Sequence, residues 1–233
     1  MKLQEVTSNE EFEVKVWLGQ NGIRNYTIDP HTKVIDVIGD VDLNFRHGGT
    51  TKHTRIPVQF GTIYGSFTVK SSTGLFESII GCPQHVTKNF VCDVGWRCRS
   101  AVGGPISVGG YAQYDSSGWE SFEGFPQMIG SYLTVNVTSL VSMSGIHKHI
   151  RAINTRLYLS GCNGELEGGM MGLFLIKGLK QVIVSRDDGE PDSTDTETLE
   201  AIGIINNHLS GDRILTECQI ELQDAGLAKY AKM

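Results

Sequence analysis

Short segments that alternate apolar and polar residues recur along the middle of the chain. They are rich in β-branched and aromatic residues and are bounded by glycine or serine, which is typical of half-buried β-strands. The segments span residues 65–71, 89–95, 111–116, 132–139 and 155–161. Because none of them can bury an apolar face alone, we expect the segments to stack on one another.

The pattern repeats about every 21 residues. Prolines mark the same position in successive units, and a histidine and a methionine continue the series. These register marks are Pro57, Pro83, Pro105, Pro126, His147 and Met170. A fixed period of this length is the signature of stacked repeat architectures. The sequence therefore predicts a mainly β fold over residues 31–184, a right-handed β-solenoid of about six coils with one sheet along one face.

Fixed columns around the marks support this prediction. Glycine stands two residues before most marks, where it would give the backbone a positive φ or a close approach between coils. These glycines are Gly81, Gly103, Gly124, Gly145 and Gly168. An apolar residue stands three residues after each mark, and this column should form core. Its members are Phe60, Val86, Val108, Ile129, Ile150 and Leu173.

Capping structures are expected at both ends, because a solenoid exposes its apolar stack there. Residues 1–30 are predicted to form an N-terminal cap. Its helix spans residues 8–20, with Ser8 as N-cap and Glu11 completing a capping box. Its expected apolar face consists of Phe12, Val16 and Trp17. The Asp29-Pro30 pair predicts a turn between the two strands that follow.

Residues 185–233 are predicted to form an acidic linker and a two-helix C-terminal cap. Helical spacing relates Leu199, Ile202, Ile205 and Leu209 in the first helix. It relates Leu215, Cys218, Leu222, Ala225 and Tyr230 in the second. The expected N-caps are Thr194 or Asp195 for the first helix and Asp212 for the second.

Charge and composition exclude several classes of protein. The net charge is −6, and residues 185–200 hold seven acidic residues and one basic residue. The remainder has 19 of each sign, which argues against a nucleic-acid-binding surface. Without a long apolar run or a signal-like start, we expect no membrane partner and a cytosolic or assembly-bound protein. Five cysteines without a C-x-x-C pair predict free, buried thiols.

Three stretches show what the chain resembles: "IPVQFGTIYGSF", "SIIGCPQHV" and the C-terminal "LTECQIELQDAGLAKYAKM". From about residue 21 to the end, the chain resembles the leucine-rich-repeat-like proteins encoded by large tailed bacteriophages. The resemblance implies a leucine-rich-repeat-like solenoid located in the host cell cytoplasm or in the virion. That family usually has an asparagine nine residues before the proline. Here Gly74 and Trp96 replace it, so irregular coils are expected.

Candidate chemistry is sparse, and we predict no catalytic residue, metal or cofactor. His147 and His149 would share one face of a strand, but no third ligand is nearby, which favours a surface turn. The acidic run 188–192 lacks the glycine and glutamate of a helix-loop-helix calcium site, which favours a solvated linker. Cys82 lies beside His85, but its column varies from unit to unit, and this argues against a catalytic thiol.

The predicted function is a non-enzymatic scaffold that binds a protein partner, in a phage context a host factor, with the oligomeric state left open. The candidate contact residues are Trp96, Arg97, Arg99, Tyr114 and Tyr132. The alternative for the first three is that Cys98 is core and its neighbours are merely solvated. Two other functions stay open: a virion component of the head or baseplate, and a small-ligand-binding protein that acts against host defence, such as a nucleotide sponge.

Overall fold

The fold is a β-solenoid of about five turns with helices at its ends, seen in a computed structural model. The structure describes residues 8–45, 54–72, 75–115, 118–136, 140, 142–160, 169–185 and 196–232. The helices are α1 Ser8–Gln20, α2 Ile146–His149, α3 Thr196–Ser210 and α4 Leu215–Asp224, with 3₁₀ helices at Met170–Leu175 and Ala228–Ala231. None of the described helices combines the length and the apolar character needed to cross a bilayer.

Fourteen strands are present in the described residues. They are β1 Tyr26–Ile28, β2 Ile35–Ile38, β3 Val41–Phe45, β4 Phe60–Tyr64, β5 Phe67–Ser71, β6 His85–Val86, β7 Phe90–Asp93, β8 Ser107–Val108, β9 Ala112–Asp115, β10 Met128–Ile129, β11 Leu133–Asn136, β12 Ala152–Ile153, β13 Arg156–Ser160 and β14 Gln181–Ser185. The first sheet has the order β1-β2-β4-β6-β8-β10-β12, and the second has the order β14-β13-β11-β9-β7-β5-β3. All pairs are parallel except the β1–β2 hairpin.

The prediction of a mainly β solenoid with terminal helices is confirmed, and the prediction of a single sheet is wrong. Each coil gives one strand to each sheet, and the five predicted strand segments form the second sheet. In most coils the first sheet is built from two-residue strands around the apolar column, such as Val86, Val108 and Ile129. Two residues are too short for an alternation to be visible, so the sequence pattern did not reveal them.

The register marks hold through Pro126 and then shift. Ile129 pairs with Ile153 rather than lying beside Ile150, because the helical turn α2 adds residues to that coil. The last mark, Met170, lies in the 3₁₀ helix that begins the C-terminal cap, so there are about five turns rather than six. The glycine with positive φ next to it is Gly169, while Gly168 lies outside the described residues.

The glycine column has the predicted conformation at Gly81, Gly103, Gly124 and Gly145, all with positive φ. At Gly124 the constraint is also steric. Its φ is 82°, and a Cβ there would lie 2.2 Å from the carbonyl carbon of Ala101 in the preceding coil. The backbone of one coil therefore lies directly against the next, which only glycine permits.

A serine column takes the place of the missing asparagines. The side-chain oxygens of Ser78, Ser100, Ser121 and Ser142 each accept a hydrogen bond from the N–H two residues later, at 3.0 to 3.3 Å. Such turns cap the bend of each coil with a local hydrogen bond. The sequence contains the signal, a serine five residues before each of four successive marks, and our reading of the pattern missed it.

The predicted bounds of the N-terminal helix, residues 8–20, are confirmed, but the choice of its apolar face is only partly right. Helix α1 buries Leu18 and packs Val14 and Trp17 against the core, whereas Phe12 and Val16 are exposed. The predicted apolar face is therefore right at Trp17 and wrong at Phe12 and Val16. The turn after β1 forms as expected, because Asp29 Oδ1 accepts hydrogen bonds from two backbone N–H groups, at 2.6 and 2.9 Å.

The C-terminal helices cover the last coil. Ile202, Ile205, Leu209, Cys218, Leu222 and Tyr230 are buried as predicted. Leu199 is exposed on α3, and Ala225 is exposed because α4 ends at Asp224, before the predicted helical spacing does. Asp212 is not an N-cap, since α4 begins after Ile214 without a side-chain cap. Thr194 and Asp195 lie outside the described residues.

Two polar side chains join this cap to the solenoid. Asn206 on α3 donates to the carbonyl of Val182 at 2.8 Å and accepts from its N–H at 2.7 Å. It thus satisfies a backbone pair on the edge strand β14, where another strand would otherwise add. The Arg213 guanidinium donates to the carbonyls of Phe174 and Ile176 at 3.0 Å each, and also to that of Leu179.

Candidate interaction surfaces

Trp96, Arg97 and Arg99 lie on the loop side of the solenoid, which follows β7. The Trp96 side chain is 58% exposed, and the Arg97 guanidinium carbon lies 5.2 Å from the centre of one of its rings. Arg99 forms an ion pair with Glu120 of the next coil at 3.2 Å. Cys98 between them is fully buried. Cys98 is therefore a core residue and its flanking arginines are solvated, as the alternative interpretation proposed. Trp96 remains exposed to solvent.

Tyr114 is not a surface residue, which corrects its choice as a contact. Its side chain has no solvent exposure, and its ring centre lies 4.3 Å from that of Phe125 and 5.6 Å from that of Trp119. Burial raises the pKa of its phenol well above the ordinary value. The alternation along β9 showed that Tyr114 shares a face with Ala112, but it did not show whether that face points to the core or to solvent.

Tyr132 lies on a different surface again, just before β11 of the second sheet. It is half-buried and stacks on Tyr111 of the preceding coil, with ring centres 5.1 Å apart and planes within 6°. Tyr158 meets it edge-on at 5.9 Å. The predicted contact residues thus divide among the loop side, the core and the second sheet, and the fold does not bring them into one site.

The thiols and histidines do not form a reactive group. Cys82 is fully buried, and burial raises the pKa of its thiol far above the ordinary range. The ring of His85 points outward, with Nδ1 2.9 Å from the hydroxyl oxygen of Ser107. His147 and His149 lie on the helical turn α2, where residues two apart face different directions. Within the described residues, no three side chains of His, Cys, Asp or Glu form a group that could hold a metal. The acidic run 188–192 lies outside them.

The outer face of the second sheet is polar and charged. Asp115 accepts hydrogen bonds from Gln113 at 2.6 Å and from Asn136 of the next coil at 2.5 Å. Asp93 lies on the neighbouring strand. Partial burial and then the charge of Asp115 raise the pKa of its carboxyl, while Lys70 on the other side lowers it. The middle of this face therefore contains polar groups that already bond one another across the coils.

The outer face of the first sheet has a different composition, and we call its outward side chains the first-sheet face. On β4, β6, β8, β10 and β12 they are Thr62, Tyr64, His85, Ser107, Met128 and Ala152. None of them carries a permanent charge. Tyr64 is 56% exposed and Met128 is 53% exposed. Beside Tyr64 on β2 lies Ile38, which is 69% exposed.

Exposed apolar side chains of this kind escaped the sequence analysis, because it assigned apolar residues to the core. The signal was present in β2, where Ile35 and Val37 alternate as buried residues and Ile38 therefore lies on the opposite, solvent-facing side of the strand. A single outward apolar residue is common on protein surfaces. Only the parallel register shows that Ile38 and Tyr64 are neighbours and that the outward positions from β4 to β12 carry no permanent charge. On β2, Asp36 shares the outer face with Ile38, where it is half-buried and accepts a hydrogen bond from the N–H of Thr62.

A separate cleft lies where α1 meets the first coil, with a volume of about 500 Å³. Val14, Trp17 and Ile28 contribute to its apolar wall. At its rim, Glu11 is paired with Lys15 at 2.8 Å and lies 3.8 Å from Lys33. The charged groups here satisfy one another, so we interpret this cleft as the packing seam of the N-terminal cap.

Comparison of the chain with protein-family models, with curated proteins and with solved structures found no match. Any statement about its function therefore rests on the residues and surfaces described above.

Proposed function

We propose that the protein is a non-enzymatic scaffold that binds a protein partner through the first-sheet face. The observation that carries this proposal is the row of outward positions without permanent charge on β4 to β12, which includes the exposed Tyr64 and Met128 and adjoins the exposed Ile38 of β2. The one carboxylate beside Ile38 on β2, that of Asp36, is half-buried and accepts a hydrogen bond from the N–H of Thr62. Depletion of charge and enrichment in Tyr and Met are the marks of an interface core. The second sheet has aligned strands too, but its outward groups are polar and already bonded to one another.

The geometry of this face suits a flat partner surface. Ile38 and Tyr64 lie on adjacent paired strands, and Met128 lies three strands beyond Tyr64 in the same sheet. Tyrosine buries a large area at small cost in conformational entropy, and methionine adapts its shape to a partner. Between them, the hydrogen bond of His85 to Ser107 fixes the orientation of the polar groups that a partner would meet. Rigid strands hold all of these residues before binding.

From the resemblance of the sequence to phage-encoded proteins, we expect the partner to be a host protein met in the cytoplasm during infection. A virion protein of the head or baseplate is the second candidate. Mass spectrometry of purified particles separates the two, because a structural component must be present there in stoichiometric amount.

The interface is tested by photo-crosslinking with the full-length chain in a host-cell lysate. A photoreactive phenylalanine derivative replaces Met128 on the first sheet or, as control, Thr134 on the second. We expect a discrete crosslinked protein from position 128 and none from position 134. Tyr64→Lys should abolish the crosslink at 128, because it places a charge in the interface core. Equal crosslinking from both positions, or a crosslink that survives Tyr64→Lys, would show that this face is not the interface.

The loop side is tested in the same assay. Trp96→Ala and Arg99→Ala leave the first-sheet face intact, so we expect them to preserve the crosslink at position 128. If they remove it while the folded state is unchanged by circular dichroism, the interface extends over Trp96 and the proposed face is wrong or incomplete.

A further inference from the structure

A cleft of about 540 Å³ opens between the start of the last two strands and helix α3. It is lined from the solenoid by Thr155, Arg156, Lys180 and Gln181 and from the helix by Asn207 and Ser210. Its volume is in the range of small-molecule sites. No acidic side chain lines it, although the chain as a whole is acidic.

Within the part of the chain that the structure describes, the two cations of this cleft have no carboxylate partner. Among the described residues, neither Arg156 nor Lys180 has an acidic oxygen within 4.0 Å, whereas Lys15, Lys88, Arg99 and Lys229 all do. The parallel register places the two residues at the starts of adjacent strands. Arg156 aligns with Gln181, and the N–H of Lys180 donates to the carbonyl of Thr155 at 2.9 Å. Two like charges on adjacent strand starts repel each other until an anion lies between them.

The walls of the cleft are held in place before any ligand enters. Arg156 donates to the hydroxyl of Tyr158 at 3.0 Å, which orients its guanidinium group. On the other side, the two hydrogen bonds of Asn206 to Val182 fix α3 against β14. Asn207 and Ser210 follow on the same helix, so their distance from the strands is fixed as well. A guanidinium and an ammonium with nearby carboxamide donors form a suitable binding set for a phosphate group.

We propose that this cleft binds a phosphate group, carried by a small phosphate monoester or present as free phosphate. Arg156 and Lys180 neutralise the anion and donate to its oxygens. The hydroxyls of Thr155 and Ser210 already donate to the carbonyls of Ser131 and Asn207, so they add no donor. Gln181 and Asn207 remain for the rest of a monoester, since their carboxamides donate and accept hydrogen bonds. The site lies at the C-terminal cap and does not depend on the first-sheet face, so either proposal can fail while the other stands.

The test measures binding of inorganic phosphate, adenosine monophosphate and adenosine to the full-length chain by titration calorimetry at low salt. We expect saturable binding of one equivalent of phosphate or of the monophosphate, and none of adenosine. Arg156→Gln and Lys180→Gln should each weaken it by roughly tenfold or more, because each removes a charge-assisted hydrogen bond. Lys177→Gln is the matched control, since it removes the same charge from an exposed lysine outside the cleft, and its affinity should stay within about twofold.

The two sources of phosphate are distinguished by comparing the anions. Equal affinity for both indicates free phosphate, and tighter binding of the monophosphate that Asn207→Ala removes indicates a nucleotide-like ligand. The proposal is overturned if neither anion saturates the protein by about 10 mM, if adenosine binds as well as its monophosphate, or if Lys177→Gln weakens binding as much as the two cleft variants. Circular dichroism confirms that each variant is folded.

Discussion

Asn206 tests whether helix α3 protects the open edge of the second sheet. Its carboxamide forms two hydrogen bonds with the backbone of Val182, at 2.7 and 2.8 Å, in the manner of a neighbouring strand. Asn206→Ala removes both. A net contribution of about 1 kcal/mol for each hydrogen bond gives a loss of about 2 kcal/mol. Alanine is a better helix former than asparagine by roughly 0.5 kcal/mol, which leaves a net destabilisation of about 1.5 kcal/mol.

The adjacent residue provides the control for helix propensity. Asn207 is exposed on the same helix, and within the described part of the chain its side chain makes no hydrogen bond. Asn207→Ala should therefore stabilise the protein by roughly 0.5 kcal/mol. The two variants should differ by about 2 kcal/mol in the free energy of unfolding, measured by urea denaturation with equal m-values.

A difference below about 0.5 kcal/mol between the two variants would refute the edge-protection argument. Size-exclusion chromatography gives an independent readout. With its backbone pair uncovered, β14 is open to pairing with a second chain, so Asn206→Ala should self-associate as its concentration rises. Asn207→Ala should remain unchanged, because it leaves the edge covered.

Two further predictions concern the glycine column and the acidic pair. Gly124→Ala should destabilise the protein by more than about 3 kcal/mol, because its Cβ would meet the backbone of Ala101. Gly203→Ala is the control, since nothing lies within 4 Å of its Cβ, and it should stabilise the protein by up to about 1 kcal/mol. Similar urea midpoints for the two variants would contradict this. Asp93 has a raised pKa in the folded state, so folding binds its proton more tightly and its contribution to stability falls as pH rises above about 3.8. Asp93→Asn should therefore stabilise the protein at pH 7, by less than about 1 kcal/mol because the side chain is exposed, and this gain should vanish near pH 3. A gain that does not depend on pH would argue against repulsion from Asp115.

The sequence alone determined the repeat as far as Pro126 and the bounds of the N-terminal helix. Each coil places its glycine and its apolar residue at the same point, so the period can be read from residue types at fixed spacing. The N-terminal helix can be read in the same way from its capping residues. The serine column could have been found by the same argument. Local rules also sufficed for the turn at Asp29, whose side chain caps its own loop.

Only the tertiary structure decided which residues meet. Tyr114 and Tyr132 belong to similar strand-like segments, yet one is fully buried and the other lies at the surface, because the direction of a strand's face depends on how the coil closes. The first-sheet face and the cleft beside α3 likewise combine residues from distant coils or from a strand and a helix. Sequence spacing carries no information on such neighbours until the register is fixed, since the contacts form across the stack of coils rather than along the chain.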